Sequence, residues 1–276
     1  MSKSRSPDRS PPQDLDVSRR FASVERALGQ GACALLAQAH VVVAGIGGVG
    51  AWAAEALARS GVGQLSLIDL DHVAESNINR QVHALSDTVG QAKVAAMRDR
   101  IAQINPHCQV EAIDAFVEPE TIDQVLPAQV DVVLDCTDQL QAKVAMVLWA
   151  KRHAKTLLVC GAAGGKTDPL TLRLSDLRDS SHDALLARMR TVLRQQHGFA
   201  GGQGKRVAPM GVNVLWFSQP AKRPATQPAI APVAGTALAC AGYGSLVTVT
   251  ASMGFAAAAY ALDVMMHNGV VLPPSI

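Results

Sequence analysis

The chain has 276 residues, of which 49% are hydrophobic and 17% charged, with a formal net charge of +2. That balance belongs to a globular protein with a sizeable buried core. It excludes nucleic-acid binding driven by overall charge, so any basic surface has to be local.

Residues 1–16 (MSKSRSPDRSPPQDLD) combine Ser, Pro and charge without an apolar core, the composition of a disordered tail rather than a signal peptide. Residues 17–38 read as one or two helices carrying Arg19, Arg20 and Arg26. A buried strand is predicted over 41–44, a helix over 49–59, a strand over 64–69 and a helix over 93–104. The same rhythm continues with a strand over 109–113, a short helix over 120–126, a strand over 130–134, a helix over 141–154 and a strand over 156–159. Strands alternating with helices predict an α/β fold with a doubly wound, mainly parallel sheet and ligands at the carboxyl ends of its strands. After Gly161 the rhythm changes, to a strand over 171–174, a helix over 183–196, a glycine-rich loop over 197–205 and a strand over 212–218. From Pro224 to Leu262 no residue is charged, a stretch long enough to span a bilayer. Its prolines at 224, 228 and 232 and its Ala, Gly, Ser and Thr content favour a buried helix or a subunit contact over a membrane span.

The five cysteines (Cys33, Cys108, Cys136, Cys160, Cys240) are scattered and form no C-x-x-C, which excludes a cysteine-pair zinc site and suits a reducing cytosol. The chemistry gathers around "VVVAGIGGVGAWAAEALARSGVGQLSLIDLD", residues 41–71. Gly45, Gly47 and Gly50, with Gly48 among them, fit G-x-G-x-x-G between a strand and a helix, where backbone N–H groups can approach phosphate. The next strand ends in acids, Asp69 and Asp71, and a carboxylate there can bond ribose hydroxyls. A glycine turn used only for packing is the alternative, and the identity of the nucleotide stays open at this point. The following segment sets Asn77, Asn79, Arg80 and Gln81 within five residues and places Lys93 early in a helix after Gly90. Amides, a guanidinium and an ammonium equip a site for a polyphosphate more than for hydride transfer. A polar loop with a solvated lysine is the bland reading.

In "VVLDCTDQLQAK" the strand ends at Asp135, and Asp138 is either a carboxylate for magnesium beside a triphosphate or a helix N-cap. Cys136 between the acids reads as a packing residue. "GAAGGKT", residues 161–167, misses the P-loop pattern by one position and is followed by Pro169. Its carbonyls and amides are left as lining for the pocket or for a monovalent cation, potassium or sodium. Cys240 in "ALACAGYGSL" is either a nucleophile or a buried packing cysteine. Lys151, Arg152, His153 and Lys155, with Arg188, Arg190, Arg194, Lys205, Arg206, Lys222 and Arg223, form either a phosphate-tracking face or solvated surface.

Taken together, "GIGGVGAWAAEALARSG", "LIDLDHVAESNINRQVHAL", "VGQAK" and "LDCTD" resemble the ThiF/MoeB/ubiquitin-activating enzyme superfamily, which adenylates carboxylates with ATP and magnesium. Within it, "RFASVERALG", "RIAQINPHCQV", "GAAGGKTDPLTLRLSDL" and "ACAGYGSLVTVTASMGF" are similar to the tRNA threonylcarbamoyladenosine dehydratase family nearly end to end. The resemblance implies a Rossmann-like fold with an ATP-binding adenylation core over 17–160. Residues 161–276 then extend the same domain and complete the tRNA and dimer surface. It implies that Gly47 and its neighbours hold phosphate, Asp69 the ribose, Asn79, Arg80 and Lys93 the triphosphate, and Asp138 magnesium. Arg20 or Arg26 would reach a partner subunit's ATP, although their spacing departs from the R-x-x-R of MoeB-like relatives. Cys240 sits where that family tends to keep a cysteine. The reaction implied is ATP-dependent cyclisation of threonylcarbamoyladenosine in tRNA through an acyl-adenylate, by a cytoplasmic homodimer, with a cysteine desulfurase and its sulfur acceptor as further partners. The rivals are adenylation of the terminal glycine of a sulfur-carrier or ubiquitin-like protein, and an NAD-dependent oxidoreductase. The latter leaves the Asn-Arg-Gln cluster and Lys93 unexplained.

Overall fold

In β1, His40–Ala44, all five residues are buried, the continuous pattern of a strand covered on both faces. Val41 and Val43 point into one hydrophobic core with Leu57, Leu65, Met97, Leu134 and Met253. Val42 and Ala44 point into the other, with Ile68, Val133, Met146 and Trp149. The computed structural model describes residues 17–201, 208–222 and 243–267.

The other strands are β2 (Gln64–Ile68), β3 (Gln109–Ile113), β4 (Val132–Asp135), β5 (Thr156–Cys160), β6 (Leu172–Asp176) and β7 (Asn213–Phe217). They make one sheet in the order β3-β2-β1-β4-β5-β7-β6, parallel except for β6, which runs against β7. Strand order reverses between β1 and β4, with Ala44 beside Asp135 at the carboxyl ends. At such a switch point the loops part to opposite faces and leave a crevice for a ligand. Residues beyond 161 therefore add β7 and β6 to the same sheet that carries the glycine loop.

The helices are α1 (Val17–Leu28), α2 (Ala32–Gln38), α3 (Gly50–Arg59), α4 (Lys93–Ile104), α5 (Ile122–Val125), α6 (Leu140–His153), α7 (Ala184–Gln196) and α8 (Val247–Met266). The region 17–38 is two helices because Gly29 and Gly31 take φ of 105° and 89°, which no helix accepts. The predicted helix over 120–126 shortens to a single turn. The predicted strand over 64–69 stops one residue earlier, at Ile68; the Asp69 N–H still bonds the Ile113 carbonyl of β3 at 3.2 Å, while its carboxylate turns to the glycine loop.

Helix α8 is long and apolar enough to cross a membrane, yet its Val249, Met253, Ala257, Tyr260 and Ala261 are buried in the protein. It lies hard against α3. A Cβ on Gly254 would sit 2.9 Å from Trp52 Cβ and 3.0 Å from Ala53 N. This accounts for the small residues of the uncharged stretch that lie in α8 as helix–helix packing. Its proline-bearing first third, with Cys240, Arg223 and most of the segment before α8, lies outside the described residues, as do the 1–16 tail, Lys205 and Arg206.

Candidate nucleotide site

The glycine loop is pressed onto the end of β4. Gly45 takes φ of 87°, and a Cβ there would lie 2.8 Å from the carbonyl carbon and oxygen of Cys136. A Cβ on Gly50 would collide with the Gly45 carbonyl oxygen, whereas one on Gly47 meets nothing within 4 Å. Two glycines thus bring the loop down and a third leaves its open side free for a ligand. Gly48 lies beneath Thr250 of α8 and the aliphatic stem of Arg80, 3.1 and 3.3 Å from a Cβ placed there.

Asp69 braces this loop. Its Oδ2 accepts the Ile46 N–H at 2.6 Å and its Oδ1 the Asp71 N–H at 2.9 Å. Burial raises its pKa, opposed by the Lys93 ammonium 3.7 Å away and by those backbone donors. Lys93 is only 6% exposed, and its Nζ donates to Asp71 Oδ2 at 2.7 Å. The solvated-lysine reading therefore fails. A cation at the first position of α4 also opposes the helix dipole, so Asp69 and Asp71 have to hold it there.

The Asn-Arg-Gln cluster divides. Asn77 Oδ1 accepts the Ala74 N–H at 3.1 Å and shapes the 3₁₀ turn Glu75–Asn77. Asn79 Nδ2 donates to the Ser245 carbonyl at 3.0 Å, while Arg80 donates to Asn79 Oδ1 at 2.8 Å and to Ser76 O at 2.7 Å. Trp52 Nε1 donates to the Arg80 carbonyl at 2.9 Å. Arg80 is thus held over the glycine loop. Gln81 instead points inward, buried with no partner for its Oε1, so it shapes the loop's underside rather than the crevice.

After β4, Asp138 is exposed, and the N-cap of α6 is Gln139 with no side-chain cap, which sets aside the capping alternative. The turn that presents Asp138 is fixed by a pair that sequence reasoning missed. Asp135 and Lys143 are both fully buried, 3.1 Å apart. Asp135 Oδ1 accepts from Thr137 N at 3.0 Å and Thr137 Oγ1 at 2.7 Å, and Lys143 Nζ donates to Cys160 O at 2.7 Å. The available signal was a lysine in the first turn followed by the wholly apolar run Val144–Ala150. Cys136 Sγ lies 3.9 Å from Cys160 Sγ, and that thiol and burial push its pKa well up, so it packs rather than attacks. Among the described residues no three His, Cys, Asp or Glu side chains gather into a metal site.

Arg20 and Arg26 are not in this crevice. Arg20 Nη1 donates to Ile104 O at 2.6 Å, and Arg26 lines a cavity of about 680 Å³ with Phe21, Gly63 and Asn105, where the strands begin. From that edge neither reaches the crevice of its own chain. Most of the basic residues beyond 150 lie away from this crevice. Helix α6 descends from it, so Lys151, Arg152, His153 and Lys155 lie at the opposite edge. There Lys151 stacks on Phe199 and Arg152 pairs with Asp123. Arg190 donates to Leu177 O and Ser180 O, both at 2.9 Å, and Arg194 to Ala200 O at 3.0 Å. These two hold chain turns together, leaving Arg188 exposed.

His83, also missed, is 2% exposed with both ring nitrogens unpartnered. Burial, then Lys93 and Arg100, lower its pKa to about 4. The unfolded chain takes up this proton near pH 6.5 while the folded chain resists it down to about 4, so stability falls as pH drops through that window. The gap is worth roughly 3 kcal/mol. In urea unfolding from pH 7.5 to 4.5, His83→Met is expected to flatten this loss; an unchanged slope would contradict the assignment.

The crevice at the switch point, with a bare glycine loop, two positioned cations and a carboxylate, defines a nucleotide-binding α/β protein equipped for a polyphosphate. The chain belongs to the ThiF family, which it matches over residues 18–273. It is 39% identical over 255 residues to the tRNA threonylcarbamoyladenosine dehydratase of Escherichia coli K12, covering 90% of this chain and 94% of that one. A crystal structure of the E. coli dehydratase in complex with ATP superimposes with a TM-score of 0.81 at 37% identity, covering 92% of this chain and 97% of that one. The molybdopterin-synthase adenylyltransferase of Salmonella typhimurium is 39% identical over 128 residues, 46% of this chain and 51% of that one.

Proposed function

We propose that this chain uses ATP to dehydrate threonylcarbamoyladenosine in tRNA to its cyclic form. The observation that carries the reading is the match to the dehydratase over nine-tenths of both chains, around a crevice built for a polyphosphate. In the proposed reaction the carboxylate of the threonylcarbamoyl group attacks the α-phosphate of ATP, and pyrophosphate leaves. An atom of the same ureido group then gives up its proton and attacks the acyl carbon, and AMP leaves. The net change is the loss of one water.

The substrate supplies its own nucleophile, so the protein's share is positioning and charge stabilisation. The open side of the loop at Gly47 would take phosphate, Asp69 would face the ribose, and Arg80 with Asn79 and Lys93 would hold the triphosphate. Asp71 would keep Lys93 in place. Asp138 would hold magnesium carried by ATP, an ion that supplies charge neutralisation at the phosphates. In a homodimer, Arg20 or Arg26 would approach the partner's nucleotide. We place the protein in the cytoplasm, where its tRNA substrate resides. A cysteine desulfurase with its sulfur acceptor is a further proposed partner on resemblance alone.

The adenylyltransferase match over about half the chain favours one rival, activation of a carrier protein's terminal glycine. AMP formation separates the two. With ATP and magnesium, AMP is expected on adding tRNA that bears threonylcarbamoyladenosine and not on adding a carrier protein ending in Gly-Gly. The reverse pattern would overturn the dehydratase reading.

A further inference from the structure

The loop after β5, residues 161–166, reaches the same end of the sheet as the nucleotide crevice. In sequence its carbonyls are candidate lining for a monovalent cation, and the structure places a side-chain cation beside it, on carbonyls brought in from two other segments. Lys166 is 2% exposed, and its Nζ donates to the His182 carbonyl at 2.8 Å and to the Gln219 carbonyl. Both acceptors are fixed. His182 has φ of 54°, in the left-handed region that side-chain-bearing residues rarely occupy. Gln219 Oε1 accepts the N–H groups of Thr167 at 2.8 Å and Asp168 at 3.1 Å. The counter-charge is the buried Asp183, whose Oδ2 accepts the Ala162 N–H at 2.7 Å. Burial lowers the ammonium's pKa and Asp183 draws it back up.

Carbonyl oxygens hold potassium by replacing its hydration water. An ammonium on the same oxygens does so with directed N–H donors and never dissociates. The loop is wired to the crevice by a short run of bonds. Gly165 N–H donates to Gly244 O at 2.8 Å, and the Gly165 carbonyl accepts from Lys222 N at 2.9 Å. The next residue, Ser245, accepts from Asn79, which in turn holds Arg80.

We propose that Lys166 is a built-in monovalent cation: its ammonium on the carbonyls of His182 and Gln219 takes the place of a bound potassium or sodium ion and positions Arg80 through Gly244, Ser245 and Asn79. The residues around Lys166 consequently do not fit an exchangeable ion, and ATP binding by this chain needs none. The inference concerns nucleotide binding and does not depend on which substrate is adenylated.

The test uses the full-length protein in choline chloride or potassium chloride of equal ionic strength, reading ATP affinity and melting temperature. Wild type is expected to behave alike in both salts. Lys166→Ala is expected to bind ATP about tenfold more weakly in choline, from lost charge-assisted hydrogen bonds. Both affinity and melting temperature should recover saturably as potassium replaces choline. A wild-type requirement for potassium or sodium would overturn the proposal, as would Lys166→Ala responding equally to both salts. If the alanine variant does not fold, Lys166→Met keeps the stem and fills the space. It should bind ATP more weakly with no rescue by potassium, and wild-type affinity in that variant would refute the inference.

Discussion

Asp138→Ala is expected to lower tRNA-dependent AMP formation by about two to three orders of magnitude, the usual scale for removing one charge-stabilising group from a phosphoryl site. The melting temperature should barely move, because Asp138 is exposed and caps no helix. The turn around it is set instead by Asp135, Thr137 and Lys143. Activity should therefore be lost in a protein that still folds and still binds nucleotide in the absence of magnesium. Single-turnover assays with radiolabelled ATP measure this, and a rate within about threefold of wild type would remove Asp138 from the metal-holding role.

Lys93→Met is expected to fail in two ways at once. Removing the ammonium leaves Asp69, mostly buried, facing Asp71 with no counter-charge. Breaking a buried pair by removing one partner costs about 3–5 kcal/mol, although exposure of the Asp71 side chain reduces this here. The Asp69 carboxyl, already pushed up by burial, rises further without Lys93. The variant then loses stability as pH rises through that value, because the folded state has to give up a proton it favours. ATP affinity should fall about a hundredfold or more, from the lost attraction to phosphate and the new repulsion by Asp71. Adding Asp71→Asn should recover much of the stability but not ATP binding, and the two readouts are separable by urea unfolding and calorimetric titration. ATP binding by Lys93→Met at wild-type strength would contradict the assignment.

The features that were legible in the sequence are those whose cause is local. The continuous apolar run of β1 required a covered strand, and the glycine spacing after it required a turn that only glycine can make at Gly45 and Gly50. Lys93 and Asp69 were legible because a strand end and a helix start bracket them. Features set by bonds between distant segments were not legible. Lys143 stands alone among apolar neighbours in sequence, and nothing local says that its partners are the last residues of β4 and β5. Arg190 and Arg194 read as a basic face until the carbonyls of Leu177, Ser180 and Ala200 close around them. Gln81 sits beside Asn79 and Arg80 in sequence but turns inward. The basic run at residues 151–155 lies away from the crevice for a topological reason, because α6 carries it to the edge where the strands begin. Lys166 closed a mismatched P-loop pattern, and its meaning emerged only when His182 and Gln219 met it.

Nucleoside mass spectrometry of tRNA after incubation with this protein, ATP and magnesium tests the central claim most directly. ATP-dependent loss of one water from threonylcarbamoyladenosine, matched by AMP formed, is the result the account predicts. An unchanged nucleoside, under conditions where the protein binds ATP, would contradict it.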